Sequence, residues 1–358
     1  MAVLRSIAEP PRHLLVGGFT TPERDGRAQG VQLLRLAGDG GAAAPVAALA
    51  LTNPSYFARH PRLAHRFYVG HSDAGEVSAI DVDTVAGRIE LRGTQATDGR
   101  NVAHLACAPD GSAVVAACFG SGQVTAFPLS PGGDLLAPSS TLQLEAAAGP
   151  RRSQPHCQPH QISFSPDGRH LLAPDRGTDG IWVLALKRPE ATLSLAGRAV
   201  AWPGAGPRHV AWHARLPLAY VANELDSTVA IYRWDAATAT LSPAAAFDTL
   251  APQCFVRNIS AAIRLSPDGR RLYVSQRGAD AISVMEVADD GLSLRLLHWQ
   301  EGVGHMPRHM AFAEGGRSLW VASHGADLVQ SFGIDAASGA LRPSLPISTP
   351  SPACVLPL

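Results

Sequence analysis

Residues 206–235 read GPRHVAWHARLPLAYVANELDSTVAIYRWD, and this stretch predicts three short strands. Apolar or alternating segments at 208–212, 219–222 and 228–234 are separated by a turn at 213–216 and a loop at 223–227. Strands of this length with turn residues between them are typical of an antiparallel all-β unit. Such a unit cannot bury its faces alone, so we expect it to stack on copies of itself.

Copies of this unit recur along the whole chain. The apolar residue before the loop and the first apolar residue after it are eight positions apart in six copies: Val69/Val77, Ala116/Val124, Ala173/Ile181, Val221/Val229, Val274/Ile282 and Val321/Val329. A seventh pair, Val16/Val31, fits when residues 21–27 are treated as an insertion. Successive copies lie 47 to 57 residues apart, and such a period with several strands in each indicates a β-propeller. The sequence therefore predicts a single all-β domain over residues 1–358, a seven-bladed β-propeller.

The two ends of the chain are predicted to complete one blade together. Residues 14–20, LLVGGFT, match the strand before the loop in later copies, but no first strand precedes them. Residues 350–358, PSPACVLPL, resemble the start of a first strand and have nothing after them to pair with. We expect this C-terminal segment to be the innermost strand of the first blade, which closes the ring and removes exposed sheet edges.

Charge and composition argue against several classes of partner. The formal net charge is zero, which gives no reason to expect nucleic acid or an anionic membrane as a partner. Residues 1–13 lack the apolar core of a signal peptide, and no apolar run reaches transmembrane length. The five cysteines are an odd number without a CxxC pair, which is typical of a reducing compartment. We therefore expect a cytoplasmic protein without structural disulfides.

Polar side chains gather at two positions of the repeat that share one face of the ring. The first strand of a blade starts on the face where the antiparallel second strand ends. At the start of the first strand the copies place Ser55, Ala103, His160, Arg208, Ala261 and Arg308. At the end of the second strand they place Phe119, Arg176, Glu224, Arg277 and His324. Positions near the axis of a propeller form a concavity that can hold a ligand, so the sequence predicts a polar site there.

Each of these residues also has a structural interpretation. A lone arginine at a strand end is usually solvated, and His209 or His324 can be a hydrogen-bonded structural residue. His156, Cys157 and His160 form an HCxxH pattern, but without further thiols or paired carboxylates this is a weak zinc signal. The recurrence at one repeat offset in consecutive blades favours a site, and we expect neither a metal nor another cofactor in it.

Four segments of the chain resemble the seven-bladed propeller lactonase family, whose best-known members are bacterial 6-phosphogluconolactonases. They are PHQISFSPDGRHLLAPDRGTDGIWV (159–183), GPRHVAWHARLPLAYVANELDSTVAIY (206–232), AAIRLSPDGRRLYVSQRGADAISV (261–284) and MPRHMAFAEGGRSLWVASHGADLV (306–329). The resemblance implies a site built around His160, Arg208, Glu224 and Arg277. The family also contains fungal carboxymuconate cyclases, so membership does not fix the substrate. The insertion at 21–27 departs from the pattern and bears on specificity.

For lactone hydrolysis, we expect these side chains to have the following roles. His160 has a reference pKa suited to proton transfer near neutrality, and Glu224 either holds the imidazole in one tautomer or activates the water itself. Arg208 and Arg277 are suited to polarising the lactone carbonyl and orienting the substrate. Five further residues are expected to contact substrate: Arg176, His209, Asn223, Arg308 and His324. Among them Arg176 and Arg308 are candidate anchors for a distal anionic group.

Four functions remain open from the sequence. The first is hydrolysis of a small sugar lactone, with 6-phosphogluconolactone as the leading substrate. The second is hydrolysis of an unphosphorylated aldonic or aldaric lactone, and the third is muconate lactonisation. A non-catalytic propeller that binds a partner is the fourth, but a docking face favours exposed aromatics and methionine, in which these loops are poor.

Overall fold

The chain folds into a closed ring of antiparallel sheets. The structure is a computed structural model, and it describes residues 12–37 and 42–358. Within those residues there are seven sheets, and in all but the first the strands follow one another in sequence order from the ring axis outward. This confirms the predicted seven-bladed β-propeller.

The strands divide among the blades as follows. Blade 1 contains β1 (His13–Gly18), β2 (Val31–Leu36), β3 (Ala43–Leu49) and, from the other end of the chain, β29 (Pro352–Pro357). Blade 2 contains β4 (Pro54–Arg59), β5 (Arg66–His71), β6 (Glu76–Asp83) and β7 (Arg88–Ala96). Blade 3 contains β8 (Val102–Cys107), β9 (Ala113–Cys118), β10 (Gln123–Pro128) and β11 (Ser140–Gln143). Blade 4 contains β12 (Ser163–Phe164), β13 (His170–Asp175), β14 (Gly180–Lys187) and β15 (Thr192–Val200).

The remaining three blades follow the same order. Blade 5 contains β16 (Pro207–Trp212), β17 (Leu218–Asn223), β18 (Thr228–Asp235) and β19 (Thr240–Asp248). Blade 6 contains β20 (Ile259–Leu265), β21 (Arg271–Arg277), β22 (Ala281–Val287) and β23 (Leu294–Gln300). Blade 7 contains β24 (Pro307–Ala313), β25 (Ser318–Ser323), β26 (Leu328–Ile334), β27 (Leu341–Pro343) and β28 (Ile347–Ser348). Short 3-10 helices span Pro22–Arg24, Glu314–Gly316 and His324–Ala326.

The C-terminal strand closes the ring as its innermost strand. β29 pairs antiparallel with β1, with Leu14 opposite Pro357 and Val16 opposite Val355. Val355 is completely buried, in an apolar cluster that also contains residues of blade 7. The prediction that the two chain ends complete blade 1 is therefore confirmed.

A β-bulge recurs near the start of the innermost strand. The register against the second strand shifts by one residue between Pro54 and Tyr56, Val102 and His104, Pro207 and His209, and Pro307 and His309. The extra residues in these four blades are Ser55, Ala103, Arg208 and Arg308. Bulges re-aim side chains and are common beside active sites. Four of the first-strand positions singled out in the repeat are therefore places where the backbone itself is distorted.

Apolar side chains fill the space between adjacent blades. Three second-strand tyrosines also tie one blade to the next, because each hydroxyl donates to a glycine carbonyl in an outer hairpin. The pairs are Tyr68 with Gly133 at 2.8 Å, Tyr220 with Gly291 at 2.9 Å and Tyr273 with Gly339 at 3.2 Å. These glycines have φ values of 72° to 78°, a left-handed conformation that favours glycine. Each of these three turns therefore favours glycine at the residue that accepts the tyrosine hydrogen bond.

All five cysteines are free, and Cys107 and Cys118 form no disulfide. In the described part of the chain, no helix is both long enough and apolar enough to cross a membrane.

Deleting residues 352–358 should strongly destabilise the protein, because β1 would lose its partner and an inner sheet edge would face solvent. We expect a loss of more than about 4 kcal/mol in the free energy of unfolding. Chemical denaturation and light scattering would measure the loss and the resulting aggregation. Leu345→Ala is the control: this exposed side chain precedes the closing strand and should change stability by less than about 0.5 kcal/mol. Equal stability of the deletion variant and the full chain would contradict the closure argument.

Candidate active site

The carboxylate of Glu224 lies at the centre of three guanidinium groups. Its Oε1 is 2.6 Å from Nε of Arg176, and its Oε2 is 2.9 Å from Nε of Arg208 and 3.0 Å from Nη2 of Arg277. Glu224 directly follows β17, Arg176 directly follows β13, Arg277 ends β21, and Arg208 is the bulge residue of β16. Three consecutive blades thus bring together four residues spread over a hundred positions of sequence. We call Arg176, Arg208, Arg277, Arg308 and Glu224 the arginine cluster.

Glu224 is ionised at any pH near neutrality. Burial alone would raise the pKa of its carboxyl, but Arg277, Arg208 and Arg176 outweigh that effect and lower it to about 2. Both oxygens are already engaged by guanidinium groups. A carboxylate of such low basicity is poorly suited to accept a proton from water. Its evident role is to hold the three arginines in one arrangement.

Arg208 is the most deeply buried member of the cluster, with 1% of its surface exposed. Its Nη1 donates to the carbonyl oxygen of Ala261 at 2.6 Å, across the boundary to blade 6. Its Nε–H is not aligned for a hydrogen bond with Glu224 despite the 2.9 Å separation, so that contact is an ion pair. Burial and the neighbouring Arg277 lower the pKa of Arg208, which shows how costly this charge is to keep there.

Arg176 and Arg308 differ in whether their guanidinium groups have polar partners. Arg176 pairs with Glu224 and donates to Ser153 O and Gln158 Oε1, both at 2.8 Å. Arg308 has no hydrogen bond or ion pair to any described residue, and its guanidinium carbon lies 5.4 Å from the ring centre of Phe19. Burial, Arg277 and Arg24 lower the pKa of Arg308 to about 9, which leaves it charged at neutral pH. The cluster therefore carries four positive charges against one negative charge.

His160 lies in the same region with a neutral imidazole. Its ring contacts Phe119 at 5.4 Å and His209 at 5.3 Å between ring centres. Burial, Arg208, Arg308 and Arg277 lower its pKa well below 6.5. Its Nδ1 is buried and has no hydrogen-bond partner, and no hydrogen bond among the described residues joins this ring to Glu224. Of the two roles predicted for Glu224, the geometry does not support orientation of the imidazole.

A second polar layer lies next to the cluster, and sequence reasoning missed most of it. The rings of Tyr56 and His104 stack with centres 3.8 Å apart, and Tyr56 also contacts His309 at 5.2 Å and His209 at 6.5 Å. Arg264 lies beside Tyr56 and His309, at 3.4 and 3.3 Å. Tyr56, His104, His209 and His309 each follow a bulge residue directly. The repeat position one residue after the start of the first strand contains all four, so the sequence pattern could have identified them.

His209 is held in one tautomer by Arg208. Nη1 of Arg208 lies 3.3 Å from Nε2 of His209, and a guanidinium can only donate, so Nε2 accepts. Burial and Arg208 lower the pKa of His209 well below 6.5, so the ring is neutral and its proton sits on Nδ1. That Nδ1 is buried without a partner among the described residues. The ring therefore has one hydrogen-bond donor that no described residue satisfies.

Two other predicted substrate contacts lie elsewhere. Asn223 is completely buried, and its amide donates to the hydroxyl of Thr228 at 2.9 Å across the loop of blade 5. The geometry thus gives Asn223 a structural role and does not place it among the groups of the cluster. His324 is half-buried, with its ring 5.0 Å from Phe19, and its Nε2 is 3.3 Å from the carbonyl of Arg24. It belongs to the rim near Arg308.

The irregular stretch 146–159 supports Arg176. Gln154 donates to the carbonyl of Arg176 at 2.8 Å and to Asp179 Oδ1 at 2.7 Å, while Ser153 and Gln158 accept from the guanidinium. His156 binds the carbonyl of Cys157 through Nδ1 at 2.7 Å. Among residues 12–37 and 42–358, no three His, Cys, Asp or Glu side chains are grouped so as to hold a metal ion.

Comparison with known proteins identifies the family of this chain. The family model described as "Lactonase, 7-bladed beta-propeller" matches residues 13–357. The chain belongs to this lactonase family. A 6-phosphogluconolactonase of Bacillus subtilis is 29% identical over 315 residues, which cover 87% of this chain and 89% of the relative. One of Pectobacterium carotovorum is 28% identical over 277 residues, 77% of this chain and 79% of the relative.

Solved structures agree with the family assignment of this lactonase. A periplasmic gluconolactonase of Pseudomonas aeruginosa superposes with a TM-score of 0.88 at 25% identity, covering 96% of this chain and 98% of the other. A protein from Lactobacillus plantarum gives the same TM-score at 26% identity, with the same coverage. The resemblance predicted from the four segments is therefore confirmed, and the family supports a lactone hydrolase.

The buried histidines should make this lactonase lose stability on mild acidification. Burial lowers the pKa values of His104, His160, His209 and His309 well below 6.5, so the unfolded chain binds more protons than the folded one below pH 6.5. Stability is then fully present above pH 6.5 and falls below it, by about 1 kcal/mol per histidine between pH 6.5 and 5.5. We expect the Tm to fall by about 5 °C over that interval, measured by calorimetry.

His309→Gln provides the matched comparison, since it removes one of these four deeply buried imidazoles. Its Tm should depend on pH less than that of the wild type. Glu224, with a pKa of about 2, loses its contribution only at lower pH. A Tm that is unchanged or higher at pH 5.5 would show that these imidazoles are already charged in the folded protein.

Proposed function

We propose that this protein hydrolyses an anionic sugar lactone, with 6-phosphogluconolactone as the leading substrate. The observation that carries the proposal is the excess of positive charge in the arginine cluster, beside a neutral imidazole. Hydrolysis of a lactone develops negative charge on the carbonyl oxygen, and preorganised cations at that point stabilise the transition state. A substrate that is itself anionic would also be attracted by the uncompensated charge.

In the proposed mechanism His160 acts as the general base. Its neutral imidazole accepts a proton from a water molecule as the water oxygen attacks the lactone carbonyl carbon. Arg208 and Arg277 bind the resulting oxyanion, and His209 offers its Nδ1–H to an oxygen nearby. The tetrahedral intermediate then breaks its bond to the ring oxygen, and the imidazolium of His160 returns the proton to that leaving oxygen. The product is the open hydroxy acid, and the enzyme recovers its starting charge.

Glu224 is assigned to positioning and not to proton transfer. The low pKa of its carboxyl and its three guanidinium contacts favour His160 as the base. Glu224 holds arginines from three blades in one arrangement.

Hydrolysis of an unphosphorylated lactone is the second candidate. It is favoured by the similarity to the Pseudomonas aeruginosa structure, which is named a gluconolactonase. In that case the cluster would bind the hydroxyl groups or a carboxylate of the substrate. That relative is also named as periplasmic, so cytoplasmic residence of this chain stays a prediction from its cysteine pattern.

Removing the proposed base or an oxyanion donor should abolish most turnover while keeping the fold. We expect His160→Ala and Arg208→Ala each to lower kcat with 6-phosphogluconolactone by about a hundredfold to a thousandfold. Proton release, corrected for spontaneous hydrolysis, measures the rate, and circular dichroism verifies folding. Because Arg208 is deeply buried, Arg277→Gln is a third variant that tests the same donor role. Arg257→Ala, an exposed arginine, is the control and should retain turnover. Near wild-type hydrolysis by the His160 and arginine variants would refute the assignment.

Activity should persist at lower pH than an ordinary histidine base allows. The pKa of His160 is lowered, so the imidazole stays neutral as the pH falls through 6.5. The acidic limb of the kcat/KM profile is therefore expected below pH 6.5, with a plateau from there to pH 8. A profile measured over pH 4.5–8 on a phosphorylated and a plain lactone would also show which substrate class is preferred. An acidic limb above pH 6.5 would exclude a buried neutral His160 as the base.

A further inference from the structure

Residues 21–27, the insertion of blade 1, form a strap across three blades at the rim of the candidate site. Arg24 makes a two-point contact with Asp73 of blade 2, at 2.6 and 2.5 Å. Arg27 makes a similar contact with Asp327 of blade 7, at 3.0 and 2.7 Å. Such paired contacts between a guanidinium and a carboxylate fix geometry as well as charge. We call residues 21–27 the rim strap.

Hydrogen bonds to a buried side chain hold the start of the rim strap. Asn53 is completely buried and has a left-handed φ of 42°. Its Oδ1 accepts from the backbone N–H of Thr20 at 2.7 Å and of Thr21 at 3.2 Å, and its Nδ2 donates to the hydroxyl of Thr21 at 3.0 Å. The Phe19 amide donates to the Ser351 carbonyl at 3.0 Å. The contacts with blade 2, with blade 7 and with Asn53 hold the rim strap and Phe19 in one position.

Phe19 connects the rim strap to the arginine cluster. Its ring centre is 5.4 Å from the guanidinium carbon of Arg24 and 5.4 Å from that of Arg308. The ring of His324 meets it edge-on at 5.0 Å and an interplanar angle of 84°. Phe19 itself is 2% exposed, so its ring is fixed. A fixed ring beside two cations orients them through cation–π attraction.

The two guanidinium groups at this ring differ in how their charge is compensated. The charge of Arg24 is neutralised by Asp73. Arg308 has no acidic partner and no hydrogen-bond acceptor among the described residues, and contact with the face of a ring leaves its N–H donors free. Arg176, the other arginine predicted to anchor a distal anion, is already occupied by Glu224, Ser153 and Gln158. Arg308 is thus the arginine of the cluster best placed to bind an added anion.

We propose that Phe19, Arg308 and the rim strap form a distal anion subsite that binds the phosphoryl group of the substrate. Arg308 donates to the phosphate oxygens, and Phe19 is a positioning residue that orients Arg308. A phosphate monoester carries up to two negative charges and compensates more of the cluster's excess than a carboxylate does. The inference rests on the proposed lactonase function for its kinetic test only, because phosphate binding can be measured without turnover.

The kinetic test compares 6-phosphogluconolactone with glucono-1,5-lactone. Arg308→Gln should lower kcat/KM for the phosphorylated lactone about tenfold to a hundredfold and for the plain lactone by less than about threefold. Phe19→Leu should cost about threefold to tenfold on the phosphorylated lactone, mostly as a higher KM. Arg257→Gln is the control, since this exposed arginine lies outside both the arginine cluster and the rim strap, and both substrates should change by less than about twofold. An equal loss on both lactones in Arg308→Gln, or no loss, would overturn the subsite.

Inorganic phosphate and acetate, titrated calorimetrically into the intact protein, provide the independent test. Phosphate should bind the wild type and Arg257→Gln alike and Arg308→Gln at least about tenfold more weakly. The same phosphate affinity for Arg308→Gln and the wild type would refute the subsite even if lactones are hydrolysed. Acetate binding as tight as phosphate would assign the position to a carboxylate and contradict the phosphoryl proposal. Phosphate binding that depends on Arg308, without turnover of any lactone, would uphold the subsite and refute the proposed function.

Discussion

The buried carboxylate of Glu224 is the interaction on which the site depends. Arginines of three consecutive blades converge on it, and without it their charges would repel one another in a region with little water. Breaking such a buried pair by removing one partner typically costs about 3–5 kcal/mol, because the remaining charge is left uncompensated. One carboxylate cannot neutralise four guanidinium groups, however. The fold therefore maintains an excess of positive charge at its centre, and a bound anion would relieve it.

The repeated bulge explains how a regular scaffold presents so many polar groups. In an undistorted strand, successive side chains alternate between the two faces, so only every second residue could point in one direction. An extra residue in the innermost strand breaks this alternation. Arg208 then reaches the arginine cluster while His209, the next residue, contacts Tyr56, His104 and His160. The bulge thus places Arg208 in the cluster and His209 in the layer of neutral histidines.

Family membership and local geometry constrain function at different levels. The lactonase family and relatives named 6-phosphogluconolactonase support opening of a lactone, and the neutral imidazole beside several arginines is suited to that chemistry. The four residues that carry the family resemblance leave the substrate open. The rim strap is an insertion specific to blade 1, and it places Phe19 and Arg24 beside Arg308. The repeated blades thus supply the arginine cluster, and one irregular loop adds contacts at its rim.

The sequence by itself determined the architecture, because strand length, turn residues and a period near fifty are local properties that recur. It also identified Arg176, Arg208, Glu224 and Arg277 as neighbours, since equivalent positions of a closed repeat must share one face. Only the tertiary structure decided which partner each charge takes. It showed that Glu224 binds arginines and not His160, that Asn223 turns into its blade, and that Phe19 lies between Arg24 and Arg308. The physical reason is that these contacts cross between blades, and their distances depend on bulges, burial and loop paths that no repeat pattern encodes.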